Sequence, residues 1–168
     1  HNIKELNVGG GLGMISATDY CYGTKFSSVK LSELAIGIGP FVVGPAVERK
    51  IGTSAYSTMT INATKWFSAS WAYEKGLFAE VFESVEEMDK EVIKLASVLS
   101  KSNPEAMHEL KKVIWKSTEN WDKLLEDRAE KSGKLVLSEF SKYFEETNLV
   151  MHLNLVSEKI IITFSLID

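Results

Sequence analysis

The chain has one cysteine, three prolines and three histidines in 168 residues. A single cysteine excludes an intramolecular disulfide framework and a cysteine-rich zinc site, and it suits the reducing cytosol. His1, His108 and His152 have no neighbouring ligand pattern of the kind a zinc site uses. Positive charge is also scarce. Nineteen Lys and Arg stand against 23 Asp and Glu, a net charge of -4. Nucleic-acid binders carry a basic patch or stripe, so that class is excluded. No apolar run reaches the roughly 18 residues of a membrane span. The most apolar stretch, 149–167, is broken by His152, Asn154, Glu158 and Lys159. The start of the chain does not show the basic, apolar and small-residue order of a secretion signal, and the expected location is cytoplasmic. The serine-elbow, P-loop and dinucleotide-loop patterns do not occur either.

What is present is the mix of a globular protein, with 45% hydrophobic and 25% charged residues. The length supports one domain or slightly more. Composition shifts along the chain. The first half is rich in Gly and Ser and slightly basic, and a Glu-, Lys-, Leu- and Ala-rich acidic stretch follows. This predicts an α/β part over 1–82, a helical part over 83–146 and an atypical tail over 147–168.

Local punctuation divides the helical part. Ser84 and Glu87 form a capping pattern before Val85, Met88, Val92, Leu95, Ala96 and Leu99 at helical spacing. Asn103 can cap a second helix with Pro104 at its first position. A third is expected from about Thr118, with Trp121, Leu124 and Leu125, broken by Gly133. A fourth carries Leu135, Val136, Phe140 and Phe144. Upstream, Ser68 starts a short helix that Gly76 stops, and Leu77 to Phe82 reads as a buried strand. The apolar stripes on these helices need partners, inside the chain or on another subunit. Trp66, Trp71, Trp115 and Trp121 read as core or interface residues, and Cys21 as a small buried one.

The chemically informative stretch runs from Val8 to Pro45. Gly9, Gly10 and Gly11 precede a short helical run, Leu12 to Ala17, which Asp19 closes. Glycines at a helix start admit a ligand close to the backbone, and free N–H groups there favour negative charge. An extended segment around Phe26 and Val29 follows. Glu33 then stands among apolar neighbours, where desolvation raises a carboxyl pKa and suits it to proton transfer near neutrality.

Triple glycine, short helix, Asp19, extended segment, then Ser32-Glu33 with Gly37 and Pro40 resembles the central motif of the crotonase, or enoyl-CoA hydratase/isomerase, superfamily. The run from Leu31 through Val43 is most similar to its methylglutaconyl-CoA hydratase branch. The resemblance implies an α/β fold: the C-terminal part of a β-β-α spiral core, then a helical oligomerisation region. It implies that Gly10 supplies one N–H of an oxyanion hole and that Glu33 is a general acid/base. Gly9, Gly11, Gly13, Pro40 and Phe41 fall on the substrate side. Phe41 stands where many hydratases have a glycine, and Gly13 where many carry a first glutamate. Lys142 sits where a family lysine meets the phosphate of coenzyme A; the plain alternative is a solvated surface lysine.

The implied activity is hydration of an enoyl-CoA thioester through a stabilised enolate, with 3-methylglutaconyl-CoA in leucine degradation as the implied substrate. A single-glutamate enoyl-CoA isomerase is the first alternative. A catalytically incomplete fragment acting only in oligomerisation is the second. No metal or redox cofactor is implied, since coenzyme A belongs to the substrate, and the partners are an acyl-CoA and further copies in a trimer or hexamer. The family's second oxyanion donor precedes the triple glycine, where this chain has eight residues. A truncated or frame-shifted product with a non-native tail is therefore expected.

Overall fold

The computed structural model describes residues 6–143. The expectations for Phe144, for His1 and His152 and for the tail over 147–168 lie outside them. The first strand, β1 (Leu6–Val8), leads through Gly9 into α1 (Gly10–Ser16). Two short strands follow, β2 (Tyr22–Thr24) and β3 (Ser28–Lys30), and then a 3-10 turn at Glu33–Ile36. The long helix α2 (Gly44–Ile61) precedes β4 (Phe67–Ser68), α3 (Ala69–Glu74) and β5 (Glu80–Phe82). Three helices complete the described chain: α4 (Val85–Leu99), α5 (Pro104–Ile114) and α6 (Trp121–Val136).

The strands form two small sheets. One has the order β1-β3-β4, with β1 and β3 parallel and β3 and β4 antiparallel. The other pairs β2 with β5 in parallel. The core lies between these strands and the first three helices. Leu12, Val29, Leu31, Val47, Met59, Ala72 and Leu77 are fully or almost fully buried there. Helices α4, α5 and α6 contain no buried residue. Among the described residues, Phe78 is the last buried hydrophobic one.

The local caps form as their chemistry dictates. Ser68 Oγ accepts from Trp71 N–H, Ser84 Oγ from Glu87 N–H, and Asn103 Oδ1 from the N–H groups of Glu105 and Ala106. Four expectations need correction. Gly133 does not break a helix, because α6 runs through it to Val136. A mid-helix glycine costs only about 1 kcal/mol, and the break comes at Ser138, whose Oγ accepts from Ser141 N–H at the start of a helical stretch over 139–143. Leu77 and Phe78 are buried but not in a strand, because both N–H groups bond to Ala72 O and finish α3. Asp19 does not close α1, whose C-cap is Ala17. Trp66 is 40% exposed, so of its two readings, core or interface, the core one is corrected.

Candidate active site

Two neighbouring parallel strands deliver the motif residues to one place. β1 ends at Val8 and β3 at Lys30, side by side in register. Gly9 N–H bonds to Lys30 O at 3.3 Å, just beyond the strand pair. Leu31, 1% exposed, anchors the segment after β3, and Glu33 turns back over Gly9. The crevice outside the carboxyl ends of parallel strands is where α/β folds place their ligand sites.

Glu33 presses its carboxyl against Gly9. A Cβ on Gly9 would stand 3.0 Å from Glu33 Oε1, and Gly9 has φ 50°, a conformation that disfavours side chains. The backbone conformation favours glycine, and a side chain there would also push the Glu33 carboxyl aside. Glu33 Oε2 is buried and has no hydrogen-bond partner among the described residues. Burial pushes the Glu33 carboxyl above its ordinary range, while backbone N–H groups of Glu33 and Ser32 pull the other way. A half-buried acid with a raised pKa and a bare oxygen is equipped to give and take a proton.

Gly10 opens α1 beside this carboxyl. The first helical bond of α1 runs from Gly13 N–H to Gly9 O, so the N–H groups of Gly10, Gly11 and Leu12 lie ahead of the ladder. A Cβ on Gly10 would meet nothing within 4 Å, so its surroundings are open. Gly13 is different. It is buried, and a Cβ there would stand 2.8 Å from Val43 Cγ1. It serves the close packing of α1 on the start of α2 and leaves no room for a second carboxylate.

Pro40 is buried and its carbonyl accepts from Gly44 N–H at 2.8 Å and from Tyr56 Oη at 3.3 Å. The Phe41 ring folds over Gly39, where a Cβ would come within 2.6 Å of it. Lys142 is exposed on the 139–143 stretch, which returns to the site. Ser141 Oγ stands 3.5 Å from Ile36 O, and the Phe140 ring rests on Gly37. The structure therefore brings Gly9, Gly10 and Glu33 together and sets Gly13 behind them, against Val43. A groove of about 590 Å³ lies elsewhere, along Lys25, Phe26, Trp66 and Phe67. Its lining carries no carboxylate.

A family model described as enoyl-CoA hydratase/isomerase matches residues 3–153. The chain belongs to this family. Among curated relatives it is 43% identical over 68 residues to bacillaene synthase dehydratase PksH of Bacillus subtilis, covering 40% of this chain and 26% of that protein. It is 32% identical over 116 residues to the peroxisomal Delta(3,5)-Delta(2,4)-dienoyl-CoA isomerase of Arabidopsis thaliana, covering 67% of this chain and 40% of that one. Solved structures share the fold. An enoyl-CoA hydratase from Mycobacterium avium superposes with a TM-score of 0.78 at 22% identity, covering 88% of this chain and 59% of that one. For an enoyl-CoA hydratase from Bacillus halodurans the values are 0.75, 24%, 84% and 57%. The chain thus spans less than half the length of these curated relatives and somewhat over half of these structures. The α/β fold expected of a C-terminal crotonase portion is the one found.

Sequence reasoning missed three residues around the crotonase turn: Tyr56, Arg128 and Ser141. Arg128 Nη1 donates to Phe41 O at 3.4 Å. It comes from a helix patterned like an exposed one. The only local signal was Gly37, whose φ of 82° and lack of a Cβ admit the Phe140 ring.

Proposed function

We propose that this chain carries single-carboxylate acyl-CoA chemistry, with Glu33 as the general acid/base and Gly10 N–H as one oxyanion donor. The observation that carries this reading is the Glu33 carboxyl, with Oε1 against Gly9, one residue from Gly10, and Oε2 buried and unpartnered among the described residues. In hydration, Glu33 takes a proton from water as the water oxygen bonds to the β carbon. The π electrons move onto the thioester as an enolate, and the proton returns to the α carbon. An N–H aimed at the enolate oxygen is worth about 3–4 kcal/mol in comparable sites. Coenzyme A is the handle of the substrate, and no other cofactor takes part.

The substrate we favour is 3-methylglutaconyl-CoA, on the likeness of residues 31–43 to that hydratase branch. Cytoplasmic leucine degradation and assembly of several copies through the helical region belong to the same reading. Lys142 would meet the coenzyme A phosphate. A second reading, double-bond migration, is favoured by Gly13. Val43 occupies the space a second carboxylate would need, and one glutamate suffices to move a proton between two carbons.

The test is turnover of 3-methylglutaconyl-CoA and straight-chain enoyl-CoAs, with product analysis. A hydroxyacyl product supports hydration, and a shifted double bond supports isomerisation. Full turnover by Glu33→Gln would remove Glu33 from the mechanism. Calorimetry of the 168-residue chain with an acyl-CoA addresses the remaining alternative, a fragment active only in assembly, which binding would contradict.

A further inference from the structure

The 3-10 turn that carries Glu33 has little holding it directly. It contains no buried residue, and Leu34 and Ile36 are among the exposed large hydrophobics. The bare Oε2 adds no tie, so among the described residues the carboxyl is held only by the backbone N–H groups of Glu33 and Ser32 within the turn itself. Upstream the turn is anchored by Leu31, which is buried. Its downstream anchorage has to come from the loop over 37–44.

Two backbone carbonyls after the turn accept from side-chain donors on two helices, and a third, in the turn, lies near the Ser141 hydroxyl, which donates to Leu135 O at 2.9 Å. Ile36 O faces Ser141 Oγ at 3.5 Å, from the stretch after α6. Pro40 O accepts from Tyr56 Oη at 3.3 Å, from α2. Phe41 O accepts from Arg128 Nη1 at 3.4 Å, from α6. Tyr56 and Arg128 also converge on Gly44, where a Cβ would stand 2.5 Å from Tyr56 Oη and 3.3 Å from Arg128 Nη1. Each of these contacts is longer than an ordinary hydrogen bond, so each alone is weak. Their convergence on one nine-residue segment is what gives them effect.

We propose that Arg128, seconded by Tyr56, is a positioning residue for Glu33: by holding the loop over 37–44 it keeps the Glu33 carboxyl seated on Gly9 and out of water. The inference rests on the acid/base reading of Glu33 for its meaning, but its test needs no turnover. An arginine suits the task, because a rigid fork can keep one N–H on the carbonyl while the rest of the guanidinium stays hydrated. The hold also ties the acid to α6, so any displacement of α6 is felt at Glu33.

The experiment uses the full chain with glutamate carboxyls labelled with carbon-13, the Glu33 signal being assigned by its loss in Glu33→Gln. Two quantities are compared between wild type, Arg128→Met and Tyr56→Phe: the Glu33 titration midpoint and the hydrogen-exchange rate of the Gly44 amide, which bonds to Pro40 O. In Arg128→Met the midpoint is expected to fall by about half a unit or more toward the ordinary glutamate value as the carboxyl gains water. Gly44 exchange is expected to rise about tenfold through local opening. A contact that merely docks α6 would lower the melting temperature and leave the midpoint in place. Wild-type midpoint and exchange in Arg128→Met would overturn the proposal. If Arg128→Met does not fold, Tyr56→Phe, which deletes one hydroxyl, decides on the same two readings. Full turnover by Glu33→Gln, by contrast, would sink the acid/base reading and leave both readings of the loop intact.

Discussion

Lys111 Nζ stands 2.5 Å from Asp19 Oδ2, and this pair joins two parts of the chain that composition alone would separate. Asp19 follows α1 in the core part, and Lys111 lies in the last turn of α5. The other Asp19 oxygen accepts from Trp115 Nε1, and Lys50 Nζ donates to the Asp19 carbonyl at 3.0 Å. The Arg49 guanidinium lies 3.8 Å from the Trp115 ring centre, and its Nη1 donates to Ile114 O. The end of α5 is thus latched to the core by polar and cation–π contacts, where burial contributes little.

Replacing Asp19 with Ala should loosen α5 while sparing the core. The ion pair is more than a third exposed on both sides, so it is worth below about 1 kcal/mol. Burial works against ionisation of Asp19, but hydrogen bonds from Lys111 and Trp115 outweigh it and hold the carboxyl below its ordinary value. A depressed folded pKa gives stability that is present above the ordinary carboxyl value and lost as pH falls through the folded one. Hydrogen exchange of the α5 amides at neutral and acid pH checks this. Wild type should lose protection on acidification toward the level of Asp19→Ala, and α2 amides should not follow.

Glu33 has the opposite sign. Its folded pKa is raised by burial, so the folded state binds more protons than the unfolded one between the two values. Stability therefore falls as pH rises through that interval, and the full cost applies above it. Glu33→Gln should melt higher than wild type at neutral pH and match it in acid, while turnover falls about 10²- to 10⁴-fold. Thermal melts across pH and rates on an enoyl-CoA give both numbers. Equal melting at neutral pH would mean that the carboxyl carries no desolvation cost.

Gly9 and Gly10 are adjacent but should respond differently to alanine. At Gly9 the new Cβ meets Glu33 Oε1 at 3.0 Å with φ at 50°, a strained conformation costing about 1–3 kcal/mol. At Gly10 the Cβ enters open space. Gly9→Ala should lower the melting temperature and displace the Glu33 titration, whereas Gly10→Ala should fold like wild type. A Gly10→Ala protein that melts as low as Gly9→Ala would contradict this geometry.

The legible features were those written in neighbouring residues. Ser68, Ser84 and Asn103 cap helices because their oxygens reach N–H groups two or three residues on. The importance of the triple glycine and of Glu33 was legible through the family motif, and the raised pKa of Glu33 through its apolar neighbours. Gly133 misled, because glycine inside a solvated helix is tolerated. The Arg128 contact left no trace: a long-range bond from an exposed helix to a main-chain carbonyl imposes no local pattern. The apolar residues of α4 and α5 predicted amphipathic helices, and Val92, Ile93, Leu110 and Val113 are exposed on them.

The contact of Gly13 with Val43 admits a double-mutant test of the single-carboxylate reading. A Cβ at position 13 would stand 2.8 Å from Val43 Cγ1 and 3.1 Å from its Cβ. Gly13→Ala should therefore destabilise by about 1–3 kcal/mol through overpacking, less the small gain from replacing a mid-helix glycine. Val43→Ala alone should destabilise by leaving a gap in the same place. Combined, the added methyl fills the space that was vacated, and the double variant should be more stable than the sum of the single effects. Residues in contact typically couple by 0.5–3 kcal/mol. Denaturant melts of the four proteins supply the cycle. A coupling near zero would mean that Gly13 and Val43 are not packed on each other, and the steric case against a second carboxylate at position 13 would fall with it.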